Sequence, residues 1–221
     1  MTRQVELYKI PEKLEIVMIL DDSILESYNE SIKNYNSEKA RRTLSKFDKS
    51  EGELIGSSPF MNVQLIKSLP QGVRLATRSD LEKTLSFKPD FLIGNYYDFG
   101  LALLRDGDSY KPNDLLSKTL TKQLKEREIK LEKGKLIPFS CLQLVENSDS
   151  HHGLVFELND NVTKESIQNI RDFKWDYARG NGLFRAFLDG YGGWNRINKV
   201  LGGSHADGRV VVVKTAEGNL Y

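Results

Sequence analysis

The stretch GLFRAFLDGYGGWNRINKVLGGSHADGRVVVV, Gly182 to Val213, differs in composition from the rest of the 221-residue chain. It contains seven of the 17 glycines, and Lys199 is its only residue of the types Lys, Glu, Gln and Met. It closes with four valines, which predict a strand buried on both faces. The residues before them include Tyr, Asn, Asp and Arg, which are typical of adaptable recognition loops. The stretch therefore predicts a binding surface on a β scaffold; the alternative is a glycine-rich segment at a domain edge.

Composition limits the class of protein. With 39% hydrophobic and 10% aromatic residues, the chain can bury a proper core. The 32 basic and 31 acidic residues nearly cancel, so no global field attracts nucleic acid or an anionic membrane. Cys141 is the only cysteine, which excludes an internal disulfide and a multi-cysteine zinc site. We therefore expect no nucleic-acid partner and no cofactor.

The N-terminal region lacks a targeting or membrane signal. Its apolar run extends only from Leu14 to Leu20 and is interrupted by Glu15. Such a run is too short and too charged for a signal peptide or a transmembrane segment. We expect a soluble protein, and the sequence leaves open whether it is cytoplasmic or associated with a virion or cell surface.

The first ninety residues alternate between strand and helix patterns. Lys13–Leu20 predicts a buried strand, and the spacing of Ser23 and Glu26 predicts a capped helix extending to about Tyr35. Ser79 and Glu82 repeat that capping spacing. The polar, Gly- and Ser-rich segment 44–60 predicts a long loop or a boundary.

The remaining residues follow a more regular pattern. The predicted elements are one or two strands in 90–105, a turn at Asp106–Asp108, a helix that begins at Pro112 and Asn113 with a stripe of Leu116, Leu120 and Leu124, an antiparallel pair formed by 135–146 and 152–160, a short helix in 162–173 and a strand in 208–214. We expect an α+β fold in which Leu101–Arg105 pairs with Val210–Val213.

The C-terminal stretch resembles a known family. The motif GGWN, Gly192–Asn195, a variable-looking segment and the closing GRVVVV strand are similar to the C-type lectin-fold variable proteins of diversity-generating retroelements, particularly those of archaea and candidate phyla. In that family, adenine-directed mutagenesis rewrites AAC-type codons, whose products do not include Lys, Glu, Gln, Met or Trp. The resemblance covers at most Leu101–Val213 and is specific over about the last thirty of these residues.

The resemblance implies a division of the chain and a set of ligand contacts. It implies a C-type lectin-like domain over residues 91–221, with a variable region 182–213, preceded by an α/β extension over residues 1–90. Trp194 and Lys199 would belong to the scaffold. The implied ligand-contacting positions are Phe184, Phe187, Asp189, Tyr191, Asn195, Arg196, Ile197, Asn198, Val200, His205, Ala206 and Asp207. The partner would be a protein or another macromolecular ligand.

Enzymatic alternatives rest on weaker patterns. The formylglycine-generating enzymes of similar fold need a cysteine pair, and calcium-dependent lectins need a Trp-Asn-Asp motif where this chain has Trp194-Asn195-Arg196. Asp106 and Asp108 match the Asp-x-Asp pattern of a divalent metal site, so a metal-dependent enzyme is one alternative and a plain interaction scaffold is another. We expect no catalytic residues and no metal site.

Basic and histidine residues outside the C-terminal stretch predict solvated surface. Lysines and arginines in Asn36–Lys49 form a basic patch on a predicted helix, which favours a solvated face over a nucleic-acid contact. His151 and His152 are adjacent and would point to opposite sides of an extended chain. We therefore expect them in a solvated loop and not as a shared metal site.

Overall fold

A computed structural model of the chain describes residues 4–6, 15–131, 134–169, 177–178, 181–197 and 201–215. Its strands are β1 Gln4–Glu6, β2 Glu15–Ile19, β3 Asp48–Ser50, β4 Glu53–Ile55, β5 Val73–Leu75, β6 Tyr96–Arg105, β7 Lys135–Pro138, β8 Leu142–Glu146, β9 Leu154–Leu158, β10 Gln168–Asn169, β11 Tyr177–Ala178, β12 Gly182–Leu188, β13 Trp194–Ile197, β14 Gly208–Arg209 and β15 Val211–Thr215. Its α-helices are α1 Leu25–Ile32, α2 Glu38–Leu44, α3 Pro59–Leu65, α4 Arg78–Phe87 and α5 Asp114–Glu126. The mixed α+β class predicted from the sequence is confirmed.

The valine strand lies inside a four-stranded sheet with the order β1-β2-β15-β5. Val212 packs into one hydrophobic cluster, whereas Val211 and Val213 pack into a second cluster on the other face. The prediction of a strand buried on both faces is confirmed. The predicted pairing of Leu101–Arg105 with Val210–Val213 is wrong, because β15 pairs with β2 and β5.

Strand β6 is the centre of the larger sheet, whose order is β11-β13-β12-β6-β14-β4-β3. One edge of β6 pairs along its length with β12, while the other edge pairs with β14 at Tyr96–Tyr97 and with β7 at Leu101–Leu104. Both sheets contain strands from each side of residue 90. The division of the chain at that residue stays a prediction.

A bulge interrupts the pairing of β6 with β12. Arg185 lies opposite Ala102, but Phe187 lies opposite Asp98, so β6 carries two more residues than β12 between these pairs. Gly100 lies within the bulge at φ +36°, a left-handed backbone angle that favours glycine. The bulge brings Asp98 to the position diagonal to Arg185 on the same face of the sheet.

Helix α5 packs by the stripe predicted for it. Leu116, Leu120 and Leu124 are buried in the larger hydrophobic cluster, and the helix contacts β9 and β12. Strands β8 and β9 pair antiparallel, as predicted for 135–146 and 152–160, whereas β7 leaves that pair and joins β6. None of the helices in the described part of the chain is long and apolar enough to cross a membrane.

The helix starts differ from the predictions because neighbouring residues compete for the cap. The Asp21 carboxylate, not Ser23, accepts the cap hydrogen bond, and it precedes a 3-10 turn that continues into α1. The capping box of α4 is formed by Thr77 and Asp80 instead of Ser79 and Glu82, because the Arg74 guanidinium lies 2.7 Å from the Asp80 carboxylate and holds it at the helix start.

Two segments differ from the predicted type of structure. Segment 44–60, predicted as a loop, contains the β3–β4 hairpin, which turns at Glu51 and Gly52 with positive φ. In 162–173, the predicted helix is reduced to a 3-10 turn at Lys164–Ser166, and Gln168–Asn169 pairs with β7. Its last residues, from 170 onward, lie outside the described residues. Long-range pairing overrides local propensity in both places.

Candidate ligand-binding cleft

A cleft of about 460 Å³ opens where β6 and β12 meet the loops that follow β12 and precede β14. Pockets for small ligands and side chains in proteins usually have volumes of about 300–1,000 Å³. The lining residues come from both strands and both loops: Gly94, Tyr96, Arg185, Phe187, Asp189, Gly190, Tyr191, His205 and Asp207.

The floor of the cleft is a buried ion pair. Arg185 Nε lies 2.5 Å from Asp98 Oδ1, and Arg185 Nη2 donates to Asp98 Oδ2 at 2.7 Å. The Asp98 side chain is 0% exposed and that of Arg185 is 6% exposed. Such bidentate arginine–carboxylate contacts are geometrically specific, so the guanidinium is fixed in one orientation.

Further hydrogen bonds tie this ion pair to three loops. Arg185 Nη2 donates to the carbonyl of Ser57 at 2.7 Å, and Nη1 donates to that of Gly203 at 2.9 Å. The Ser57 hydroxyl donates to Asp98 Oδ2 at 2.6 Å. Burial alone lowers the pKa of Arg185, but the Asp98 carboxylate outweighs burial and raises that pKa well above its ordinary value. The guanidinium is therefore a permanent, neutralised cation beneath the cleft.

Aromatic rings form the walls above the ion pair. The guanidinium carbon of Arg185 lies 4.7 Å from the ring centroid of Tyr96 and 5.5 Å from that of Phe187. The two rings meet edge to face at 6.1 Å. The Tyr96 hydroxyl donates to the Ser57 carbonyl at 3.0 Å and accepts from the His205 backbone N–H at 3.1 Å. Cation–π contacts and hydrogen bonds together hold these rings rigidly.

The lip of the cleft is the hairpin that joins β12 to β13. Asp189 Oδ1 accepts from the backbone N–H groups of Tyr191 and Gly193 at 2.9 and 2.8 Å. This carboxylate therefore orders the turn, and Gly192 adopts φ +84° within it. Tyr191, at the tip, is 97% exposed. A large aromatic side chain is thus presented to solvent on an ordered turn.

The charge that remains around the cleft is negative. Asp98 neutralises Arg185, whereas Asp189 and Asp207 add two carboxylates on the rim. Asp207 is exposed, and so is His205, whose ring lies edge-on to Tyr96 at 6.4 Å. The cleft can therefore stack a flat or aliphatic group on its rings and attract a positive charge at its edge.

Five of the twelve residues predicted to contact ligand line this cleft. They are Phe187, Asp189, Tyr191, His205 and Asp207. Ala206 is exposed in the same loop. Trp194, predicted as scaffold, packs against the smaller hydrophobic cluster and meets Phe99 edge to face at 5.6 Å.

Three other predicted contacts point inward and need correction. Phe184 is fully buried, because it alternates with Arg185 on β12 and belongs to the opposite face of the sheet. Arg196, 9% exposed, lies with its guanidinium carbon 5.2 Å from the Phe184 ring. Asn195, equally buried, donates to Asp189 Oδ2 at 2.5 Å and so supports the turn. These side chains serve the scaffold in this conformation.

The remaining predicted positions give no site geometry. Ile197 is described by its backbone alone, and Asn198, Lys199 and Val200 lie outside the described residues.

Sequence reasoning missed Tyr96 and the role of Arg185 as the floor of the cleft. One signal was available, since Asp98 and Arg185 are opposite charges inside otherwise apolar strand segments. A buried charge in a strand requires a partner. The bulge at Gly100, which makes them partners, has no signature that separates it from an ordinary strand glycine.

The alternative metal site at Asp106 and Asp108 gains no further ligand. Both residues are exposed, and Asp106 Oδ1 accepts from the Gly107 backbone N–H at 3.0 Å within the predicted turn. No group of three or more His, Cys, Asp or Glu residues in the described ranges could hold a metal ion. The expectation that both histidines are solvated is wrong for His152, whose ring packs against Phe60 at 4.8 Å.

Comparisons with known proteins add no relative: no family, no curated protein and no solved structure matches the chain.

Proposed function

We propose that the chain is a binding protein that holds a side chain or similar group of a macromolecular ligand in the cleft between β6, β12 and their loops. One observation carries this proposal. Tyr191 is 97% exposed, yet it lies on a hydrogen-bonded turn beside a concave aromatic site with an immobilised floor. Aromatic residues on ordered loops supply contact area at low entropic cost, which is how recognition surfaces obtain affinity.

The chemistry of the cleft favours a cationic ligand group. Its walls are the rings of Tyr96 and Phe187, and its rim carries the carboxylates of Asp189 and Asp207. A lysine or arginine side chain next to an aromatic or aliphatic residue complements both features, since its stem packs on the rings and its charge meets the rim. We infer a protein or peptide ligand of this character.

The resemblance to retroelement variable proteins belongs to the same proposal. Buried residues of β12, such as Leu183 and Leu188, alternate along the chain with positions that face the cleft, and Tyr191 and His205 are exposed on loops. A rigid strand with exchangeable loop residues is what a diversified surface on a C-type lectin-like scaffold requires. Phe184 and Arg196 argue against diversification at their own positions, because both are buried.

The binding function is tested by selection from a random peptide library on the immobilised full-length chain at low salt. We expect enriched peptides that carry Lys or Arg beside an aromatic residue. Tyr191→Ala should weaken their binding by about tenfold, the typical effect of losing an interface hot spot. Asp207→Asn should weaken binding and reduce its dependence on salt, because it removes a charge at the rim.

The matched control is Lys125→Gln, which removes an exposed charge on α5, outside the cleft. It should leave peptide binding unchanged. Selected peptides that bind Tyr191→Ala and wild type equally would place the ligand elsewhere. The retroelement assignment has a separate test: a near-copy of the DNA that encodes Gly182–Val213, next to a reverse-transcriptase gene and differing at adenines, supports it, and the lack of such a copy contradicts it.

A further inference from the structure

A second concavity, of about 450 Å³, lies between α2 and the loops that precede β9 and β14. We call it the basic pocket. Its lining residues include three cationic side chains, two histidines and no carboxylate: Lys39, Arg42, Thr43, Lys46, His151, His152, Gly202 and Gly203. Its composition differs from that of the whole chain, in which basic and acidic residues nearly balance.

Helical geometry places the three cations together. Lys39 and Arg42 are three residues apart on α2, and Lys46 follows two residues after its end at Leu44. Residues with this spacing lie on one face of a helix, where like charges repel each other. Burial, with a contribution from Arg42, lowers the pKa of Lys46. The cluster therefore carries an electrostatic cost.

The two lysines are held in position by backbone carbonyls. Lys39 Nζ donates to the Ser150 carbonyl at 2.6 Å, and Lys46 Nζ donates to the Gly202 carbonyl. An ammonium group has three hydrogens, so each lysine retains two for another acceptor. Gly202 also needs its small size, because a Cβ there would lie 2.8 Å from His152 Nδ1. These contacts give the basic pocket a defined shape.

Contacts within the protein do not explain Arg42. Lys46 near the end of α2 is stabilised by the helix dipole, and its carbonyl contact accounts for its orientation. Arg42 has neither a hydrogen bond nor an ion pair to the described part of the chain, and no carboxylate there forms an ion pair with Lys39 or Lys46. The guanidinium is thus available to an external anion.

We propose that the basic pocket binds the phosphate groups of a small phosphorylated ligand. An arginine fork and two ammonium groups provide the donors that phosphate oxygens accept. The volume, about 450 Å³, suits a small molecule such as a mononucleotide. A nucleic-acid polymer would require an extended basic surface, whereas the net charge of +1 leaves this one concentrated in a single pocket.

The histidines contribute shape more than charge. His152 contacts Phe60 and lies with Nε2 3.4 Å from Asn113 Oδ1. Burial, together with the charges of His151, Lys46 and Lys39, lowers its pKa to about 4, so it is neutral at pH 7. The three long cationic side chains therefore supply the positive charge.

The test is isothermal titration of the full-length chain with pyrophosphate, ADP and a 12-nucleotide single-stranded DNA. We expect saturable binding of pyrophosphate and ADP that weakens as salt rises. Arg42→Gln should reduce their affinity by about tenfold or more, because it removes the bidentate donor. Since Arg42 is exposed and makes no protein contact, this variant should unfold at the same urea concentration as wild type.

Lys125→Gln again provides the matched control, and it should bind both compounds as wild type does. Absence of binding heat with pyrophosphate and ADP would overturn the proposal. Equal loss of binding in Arg42→Gln and Lys125→Gln would overturn it too, because it would indicate non-specific attraction. Tighter binding of the DNA than of ADP would replace it with a nucleic-acid site.

Discussion

The buried ion pair beneath the cleft gives the sharpest test of the structure. Arg185→Met leaves the Asp98 carboxylate in the interior with a hydrogen bond from the Ser57 hydroxyl, but without the two donors of the guanidinium. Asp98→Ala leaves a buried guanidinium without a counter-charge. Removal of one partner of a buried pair costs about 3–5 kcal/mol of stability. Because a domain is stable by only about 5–15 kcal/mol, each variant should lose a large fraction of its free energy of unfolding.

The double variant separates pairing from simple loss of packing. Asp98→Ala combined with Arg185→Met removes both charges, and replacement of a buried pair by apolar groups is often nearly neutral. We therefore expect the double variant to be more stable than the sum of the two single effects by about 2 kcal/mol or more. Lowering the pH toward neutrality from the basic side should not rescue Asp98→Ala, because the remaining guanidinium stays charged throughout.

Urea unfolding at pH 7, followed by far-ultraviolet circular dichroism, measures these free energies. The comparison is valid where the denaturant slope is unchanged. Lys125→Gln, on the exposed face of α5, should stay within about 0.5 kcal/mol of wild type. Single variants that each cost less than about 1 kcal/mol, or effects that add within error, would refute the assignment of a buried, coupled pair.

Three further predictions concern the frame around the two concavities. Leu120→Ala removes a fully buried side chain of α5 and should lower the free energy of unfolding by about 2–5 kcal/mol in urea, whereas an effect below about 1 kcal/mol would contradict its core position. Gly208→Ala would place a Cβ 2.6 Å from Tyr96 Oη, so it should cost about 1–3 kcal/mol and weaken cleft binding; a neutral variant would show that Tyr96 moves freely. Burial and nearby cations lower the pKa of His152 from 6.5 to about 4, so the folded state binds fewer protons than the unfolded state; stability should fall between about pH 6.5 and 4, by up to about 3 kcal/mol, and His152→Gln should reduce that slope in urea unfolding at several pH values.

Local patterns were sufficient where one face of an element decides its packing. The leucines of α5 repeat every four residues, and this spacing identified both the helix and its buried side. The valines of β15 lack alternation, which identified a strand covered on both faces. The exposed residues of the β12–β13 turn were likewise recognisable from their composition.

Partner choice depended on contacts between distant segments. The sequence by itself determined that strands and helices alternate, that β15 is buried and that the C-terminal loops carry recognition residues. Only the tertiary structure decided that β15 pairs with β2 and β5, that Phe184 faces the core, and that a bulge at Gly100 brings Asp98 to Arg185. The physical reason is that side-chain periodicity is a property of a single strand, whereas register and pairing are set by the free energy of the whole packed sheet.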